Sequence, residues 1–226
     1  MIWILFIGIA LLSYAVQANL QRKFKRFSRE PLASGLTGRE VAEKMLHDNG
    51  IYNVTVISTP GQLTDHYNPT NQTVNLSEGV FNSTSVAAAA VAAHECGHAV
   101  QHATAYGPLR LRSALVPVVS MASQVVSWIL LAGILLVQTF PALLLFGIGL
   151  FAMTTLFSVI TLPVEIDASR RATVWLQRAG ITSNHEQPMA VSALRSAAYT
   201  YVVAALSSLA TLIYYVLIFM GSQRDE

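Results

Sequence analysis

Charged residues are scarce in this chain. They make up 12% of its 226 residues, whereas 53% of the residues are hydrophobic, and the few charges are crowded into short stretches. This distribution excludes an ordinary soluble globular protein and is typical of a membrane protein. The formal net charge of only +2 gives no indication of nucleic acid as a partner.

Cysteine is nearly absent as well. Cys96 is the only one in the sequence, so an internal disulfide is excluded. A chain of this kind is compatible with a reducing compartment.

Long apolar runs are the main feature that is present. They cover residues 2–18, 115–138, 142–162 and 199–220, and each approaches the ~20 residues that a helix needs to cross the hydrocarbon core of a bilayer. The first run has no basic residue before its apolar core, which favours a retained anchor over a cleaved signal. The short break at residues 138–141 predicts an antiparallel hairpin of the second and third spans. One long bent helix over residues 115–162 is the alternative.

The positive charges predict how these spans are oriented. Thirteen of the fourteen Lys and Arg residues lie between spans, and only Arg224 follows the last one. Because positive residues stay on the cytoplasmic side, we expect segments 21–113 and 163–198 to share that side of a bacterial inner membrane. The predicted division is a transmembrane helix at 1–20, a cytoplasmic α+β segment at 21–113, a transmembrane hairpin at 114–162, a second cytoplasmic segment at 163–198, a transmembrane helix at 199–220 and a tail at 221–226.

The first cytoplasmic segment has the pattern of a small α+β unit. Thr37 and Glu40 have the spacing of a capping box, which predicts the start of a helix that Gly50 can end. Residues 52–57, 62–67 and 72–76 are strand candidates, which we expect to form a small antiparallel sheet. An alanine-rich helix should follow from residue 86 onward, lying near the membrane surface or packed on the spans.

This last helix contains the residues that indicate chemistry. His94 and His98 are four residues apart, so both imidazoles project from one helix face and can share a zinc ion. Glu95 is rotated by about 100° from His94, which lets its carboxylate accept a proton from water beside the metal. The alternative is a polar helix end that carries three titratable groups by accident.

A catalytic zinc needs a third protein ligand, for which Glu165 is the strongest candidate. A carboxylate so close to the end of a span is costly unless it has a partner. Asp167 could hold the free N–H of a ligand histidine as an outer partner. The alternative is that both carboxylates simply neutralise Arg170 and Arg171.

His102 and His185 are further candidate site residues. His102 extends the histidine stripe, but it lies ~12 Å along the helix axis from His94, too far for three ligands on one straight helix. Peptide hydrolysis also needs a donor that stabilises the oxyanion besides the metal. His185, Arg195, Tyr199 and Tyr201 are candidates, of which His185 is preferred because it follows Glu165 in the same segment.

Two motifs together carry a family resemblance. H-E-C-G-H-A-V-Q-H, followed later by L-P-V-E-I-D-A-S-R-R-A, resembles the YugP-type neutral zinc metallopeptidases, a bacterial family of membrane-bound peptidases. The resemblance extends over nearly the whole chain and implies that His94, His98 and Glu165 bind Zn²⁺ while Glu95 is the general base. The plan is also similar to that of the HtpX-like and CAAX-prenyl-type proteases. In the HtpX-like family an aspartate usually follows the glutamate by four residues, whereas Asp167 follows Glu165 by two.

The sequence thus predicts an α-helical integral membrane protein with four transmembrane helices and a small zincin-like α+β catalytic portion on the cytoplasmic side. Its expected activity is zinc-dependent hydrolysis of peptide bonds, and its expected partners are a peptide or protein substrate and the lipid bilayer. We expect the substrate to add as a strand to the sheet edge around residues 65–76. An intramembrane protease is a rival, although the Asp-Gly pair of site-2 proteases is missing. A scaffold with a structural zinc site is another.

Overall fold

The computed structural model describes residues 2–223, so residues 224–226 of the tail expected at 221–226 lie outside the described residues. The elements in chain order are α1 (Ile2–Phe27), α2 (Gly38–Asp48), β1 (Thr55–Thr59), β2 (His66–Asn68), β3 (Thr73–Ser77), α3 (Glu78–Phe81), α4 (Val86–Ala103), α5 (Gly107–Leu135), α6 (Pro141–Arg178) and α7 (Gln187–Ser222). Helices dominate, and the three strands form a single small sheet.

Three helices among the described residues, α5, α6 and α7, are long and apolar enough to cross a membrane. They contain three of the four expected spans. The first expected span lies within α1 and stays a prediction. Helix α6 has 38 residues and is therefore about 57 Å long, well beyond the ~30 Å of a hydrocarbon core.

The excess length of these helices changes the expected domain division. Helix α6 continues through Pro163 to Arg178, and α7 begins at Gln187 instead of near residue 199. Helix α5 likewise begins at Gly107, before the expected start of its span. The segments expected to be separate from the spans are thus partly extensions of the same helices, which fixes them rigidly to the helical bundle.

The hairpin of α5 and α6 is confirmed, and the single bent helix is excluded. Residues 136–140 separate the two helices. A Cβ added at Gly133 would lie 2.7 Å from the Leu144 Cα, and one at Gly147 would lie 3.0 Å from the Leu130 side chain. The glycines therefore let the two helix backbones approach closely, as small residues do in membrane bundles.

Helix α2 begins at the predicted capping box. The backbone N–H of Glu40 donates to the Thr37 hydroxyl at 3.3 Å, and the backbone N–H of Thr37 donates to the Glu40 carboxylate at 2.8 Å. Past the end of the helix, Gly50 adopts a φ of +72°, where glycine is favoured. The buried face of α2 packs against α4 and consists of Val41, Ala42, Met45 and Leu46.

The sheet is mixed, so the expectation of an antiparallel sheet was wrong in part. Its order is β1-β3-β2, with β1 parallel and β2 antiparallel to β3. Strand β3 is buried over its whole length, as strands with a parallel neighbour often are, and residue alternation alone does not reveal pairing direction. Strand β2 is consequently an edge strand and lies against α4.

Helix α4 is the central element of the fold, confirming the alanine-rich helix that the sequence predicts. The Ser85 hydroxyl caps its first turn by accepting from the Ala88 N–H at 3.2 Å. The helix packs against α2, α6 and α7. At Gly97, an added Cβ would lie 2.6 Å from the Ala168 carbonyl oxygen, so the backbone of α6 approaches α4 too closely there for any side chain larger than that of glycine. This crossing lies between the two histidines of the motif.

Candidate metal centre

Three potential ligand atoms converge where α6 crosses α4. The Oε2 atom of Glu165 lies 3.3 Å from His94 Nε2 and 3.6 Å from His98 Nε2. All three ligand atoms lie within 4.8 Å of one another. Glu165 and His98 are buried, and His94 is nearly so, with its side chain 15% exposed. The spacing of four on α4 and the approach of α6 together produce this cluster.

The cluster fits a zinc ion. Zinc binds imidazole nitrogen and carboxylate oxygen at ~2.0–2.2 Å, and at tetrahedral angles such bonds place neighbouring ligand atoms about 3.4 Å apart. The separations of 3.3 Å and 3.6 Å from Glu165 to the two histidines bracket this value, and the remaining pair of ligand atoms lies within 4.8 Å. Three protein ligands are the number that catalytic zinc sites have, which leaves a fourth position for water or substrate.

Each histidine has a partner on its second ring nitrogen. His94 Nδ1 lies 3.1 Å from the Ser169 hydroxyl, and His98 Nδ1 lies 3.1 Å from the Gln101 side-chain oxygen. Such outer contacts orient the ring so that Nε2 faces the metal position. Sequence reasoning missed both partners. Ser169 follows Glu165 by four residues, so both lie on one helix face, which is the signal that could have identified it.

Asp167 does not have the expected direct contact with a ligand histidine. It follows Glu165 by two residues, which turns it by about 200° around α6 and away from the same histidine. Its carboxylate instead accepts from the Gln101 amide at 3.0 Å and from Arg171 Nε at 2.6 Å. Asp167 therefore reaches His98 only through Gln101.

Glu95 lies between the ligand cluster and the edge strand. Its side chain is 9% exposed, and its Oε2 accepts the backbone N–H of Tyr67 in β2 at 3.1 Å. A carboxylate held by one oxygen in this way keeps its other oxygen available. The contact also places the backbone of β2 at the border of the site.

An open cavity of about 730 Å³ adjoins the cluster. Its lining comprises Asp65, His66, Tyr67, Pro69, Thr70, His94, Glu95, His98, Gln101, His102, Leu109, Arg110, Arg112, Ser113, Val116, Glu165 and Tyr201. His102 belongs to this lining and not to the ligand cluster, since its Nδ1 lies 2.9 Å from the Tyr67 hydroxyl. A cavity of this size has room for several residues of an extended peptide.

The structure does not bring His185 to the cluster. His185 lines a separate, shallow cavity together with Arg26 and Phe27. The N-terminal cap of α7 keeps this loop in place, because Glu186 accepts the backbone N–H groups of Ala33 and Ser183. Of the four expected oxyanion donors only Tyr201 lines the cluster's cavity, and sequence reasoning missed Arg112, whose Nη1 lies 4.0 Å from Glu165 Oε1.

Two neighbouring side chains of α4, His98 and Cys96, have shifted pKa values. Burial alone would lower the pKa of His98, but hydrogen bonding and the negative charges of Glu165 and Glu95 outweigh it, so the pKa is raised. A metal ion that binds there must displace a proton, which couples binding to pH. Burial raises the pKa of Cys96 well above its usual value, so its thiol is not a nucleophile at neutral pH.

Comparisons with known proteins identify the family of this chain. A family model described as "Putative neutral zinc metallopeptidase" matches residues 2–220. The chain is 43% identical over 226 residues to a Bacillus subtilis (strain 168) protein named "Putative membrane protease YugP", and the alignment covers 98% of each chain. No solved structure matches the chain.

Proposed function

We propose that this chain, which belongs to the neutral zinc metallopeptidase family, hydrolyses peptide bonds at a zinc ion held by His94, His98 and Glu165. The separations of 3.3 Å and 3.6 Å between the Glu165 carboxylate and the two imidazoles carry this proposal. They match a tetrahedral zinc site, and a second carboxylate, Glu95, borders the same cavity.

Bound zinc would lower the pKa of a water molecule toward ~7 and polarise the substrate carbonyl. Glu95 accepts the proton of that water as general base and passes it to the leaving amine. The Tyr67 backbone N–H, which donates to one Glu95 oxygen at 3.1 Å, orients the carboxylate so that the other oxygen faces the reacting groups.

Arg112 and Tyr201 are the proposed donors to the developing oxyanion. Both line the cavity beside Glu165, and the Arg112 Nε is buried without a hydrogen-bond partner among residues 2–223. A buried donor of this kind is costly unless substrate satisfies it. A positive charge and a phenol near the reacting carbonyl stabilise negative charge that is present only in the transition state.

The substrate would bind as an additional strand beside β2. Strand β2 has β3 on one side, and the backbone of Tyr67 faces Glu95 on the other. An extended peptide placed there would run past the metal position and pair with backbone groups of β2 other than the Tyr67 N–H, which Glu95 accepts. We place the site on the cytoplasmic side of a bacterial inner membrane, because the Lys and Arg residues are concentrated in the segments that form it.

Zinc content and peptide hydrolysis of the purified, detergent-solubilised protein test this function. We expect about one zinc per chain and hydrolysis of unstructured peptides. Glu95→Gln should keep the zinc and lose at least ~100-fold in turnover, because it removes the general base. The double change His94→Ala with His98→Ala should lose the zinc as well.

Two outcomes would contradict the proposal. Protein purified without chelators and free of transition metal would exclude a zinc enzyme. Zinc-loaded protein in which Glu95→Gln hydrolyses peptides as fast as the wild type would assign no catalytic role to Glu95 and would support the structural scaffold.

A further inference from the structure

We infer that Gln101 is a positioning residue, which fixes the tautomer of His98 and ties the helix of the two histidine ligands to the helix of the third ligand. The inference rests on the proposed metal site. Gln101 has a relative exposure of 0% and lies on α4, three residues after His98. A fully buried amide must find partners for all its polar atoms, and here those partners determine its orientation.

The side-chain NH₂ group of Gln101 faces two acceptors on α6. Its Nε2 lies 2.7 Å from the Val164 carbonyl oxygen and 3.0 Å from Asp167 Oδ2. Neither the carbonyl nor the ionised carboxylate can donate a hydrogen, so the amide must present its two N–H groups to them. The Gln101 oxygen is thereby turned toward His98.

This orientation determines the protonation of the His98 ring. The Gln101 oxygen can only accept, and it lies 3.1 Å from His98 Nδ1, so Nδ1 carries the hydrogen. In the neutral ring Nε2 is then the atom with a free lone pair, and Nε2 is the atom that faces Glu165. Nε2 is therefore the atom that would bind the metal once the ring has lost its second proton.

Asp167 keeps its carboxylate in place through Arg171. The Arg171 Nε donates to Asp167 Oδ2 at 2.6 Å, and the guanidinium lies over the Tyr106 ring at 5.7 Å from its centroid. These contacts hold the Asp167 carboxylate in position as an acceptor for the Gln101 amide. Asp167 thus acts on His98 indirectly, because it orients the Gln101 amide, which in turn orients the His98 ring.

The two histidines differ in this respect. The partner of His94 is the Ser169 hydroxyl, which can donate or accept and so leaves either tautomer open. Gln101 also bonds to the carbonyl of Val164, the residue next to Glu165. A single side chain therefore orients one ligand and holds the backbone beside another.

Reversal of hydrogen-bond polarity tests the inference. Gln101→Glu keeps the shape and the acceptor for His98 but removes both donors, so a carboxylate would face the Val164 carbonyl and Asp167. We expect zinc affinity, measured by chelator competition, to fall by ~10–100-fold, the usual cost of losing an outer-shell contact. Gln177→Glu is the matched control. It makes the same substitution at an exposed position of α6, the helix that Gln101 contacts, and should leave zinc affinity unchanged.

A compensating change sharpens the test. In Gln101→Glu with Asp167→Asn, the new amide at position 167 can donate to the new carboxylate, which still accepts from His98. We expect zinc affinity to recover by ~5-fold or more over Gln101→Glu alone, whereas Asp167→Asn alone, which loses the ion pair with Arg171, should itself weaken zinc binding. A residue with only a packing role would show no such recovery. The absorption spectrum of the Co²⁺-loaded protein should change in the single variant and return toward wild type in the double variant.

The outcomes separate this inference from the proposed function. Unchanged zinc affinity in Gln101→Glu, or no recovery in the double variant, overturns the inference while wild-type hydrolysis can stand. If the variants show the expected losses of zinc affinity but the wild type hydrolyses no peptide, the inference stands and the peptidase function is overturned. If Gln101→Glu does not accumulate, Gln101→Met retains the volume without the hydrogen bonds and should lose ~10-fold in affinity; an unchanged value there overturns the inference equally.

Discussion

Glu165 and His102 both border the cavity, yet they differ in their relation to the two histidines. The Glu165 carboxylate lies in contact with both imidazoles, whereas the His102 ring is bonded to the Tyr67 hydroxyl at the cavity wall. The reason is helical geometry, because residues spaced by four on one straight helix cannot wrap around a single ion. The third ligand must come from another helix.

Removing each of these side chains should therefore have different effects. We expect Glu165→Ala to lose zinc and to reduce hydrolysis by more than ~100-fold, since losing a ligand exceeds the ~10–100-fold cost of an outer contact. His102→Ala should keep zinc and part of the turnover. Metal analysis and peptide hydrolysis of both variants check this. A zinc-free His102→Ala beside a zinc-loaded Glu165→Ala would refute the ligand assignment.

At the residue scale, the sequence pointed to the three side chains that cluster better than to the partners of those side chains. The spacing of His94 and His98 and the charge of Glu165 near a span were sufficient to propose a metal site. Gln101 and Ser169 could not be recognised, because neutral polar side chains are common and their role depends on where α6 crosses α4. The preference for His185 failed because membership in one segment does not imply proximity.

At the scale of elements, local signals predicted the helices well and the sheet less well. The capping box of α2 is complete within four residues, so the sequence alone was sufficient to locate it. The parallel pairing of β1 with β3 depends on contacts that are distant along the chain. The same applies to β2, whose edge position became visible only from the strand order.

The crossing of α4 and α6 depends on Gly97. Any Cβ at this position would meet the Ala168 carbonyl at 2.6 Å, so Gly97→Val should force the helices apart. Overpacking of this kind costs about 1–3 kcal/mol and should also weaken zinc binding, because Glu165 moves away from the histidines. Thermal unfolding and zinc affinity measure the two effects.

Gly149 provides the control for this substitution. It lies within α6, and nothing is within 4 Å of the position that its Cβ would take. Gly149→Ala should therefore leave stability unchanged or raise it by about 0.5–1 kcal/mol, since alanine is the better helix residue. Equal losses in the two variants would show that close approach at Gly97 is not what positions the site.

Strand β2 allows a test of substrate binding that the central strand does not. Proline in β3, for example at Thr73 or Val74, would break the middle of the sheet and unfold more than the edge. Tyr67→Pro removes the one N–H that contacts Glu95, so we expect kcat/KM to fall at least ~10-fold with zinc retained. Tyr67→Phe keeps that N–H and loses only the hydroxyl.

The comparison of these two variants determines the role of the backbone. Peptide hydrolysis and zinc content should both be near wild type in Tyr67→Phe. If Tyr67→Phe loses as much hydrolysis as Tyr67→Pro, the hydroxyl contact with His102 matters and the backbone N–H does not. Full activity in Tyr67→Pro would remove β2 from the substrate-binding site.

At the scale of the whole molecule, the spans and the site form a continuous structure. Helices α5 and α6 carry Arg112 and Glu165 on extensions beyond the expected membrane spans, and α7 carries Tyr201 near the start of its expected span. Composition and run length could predict the spans, because burial in lipid needs only apolar residues. Composition and run length could not predict that α5, α6 and α7 extend beyond the apolar runs, since a polar residue after such a run does not show whether the helix has ended.

Membrane orientation is the prediction that belongs to this scale. Helix α7 begins near the site at Gln187 and carries the last apolar run, so its two ends should lie on opposite sides of the membrane. The concentration of Lys and Arg around the site predicts that this side is the cytoplasmic one. A topology reporter inserted near Ser183 should therefore report the cytoplasm, and a reporter fused after Glu226 should report the outside. A reporter inserted near Thr139, in the hairpin turn, is the control and should agree with the C-terminal fusion.

If the Ser183 and Glu226 reporters lie on the same side, α7 does not cross the membrane and the number of spans must be revised. If the two sides are opposite but exchanged, the spans are correct and the site faces outward, where its substrates would be extracytoplasmic peptides.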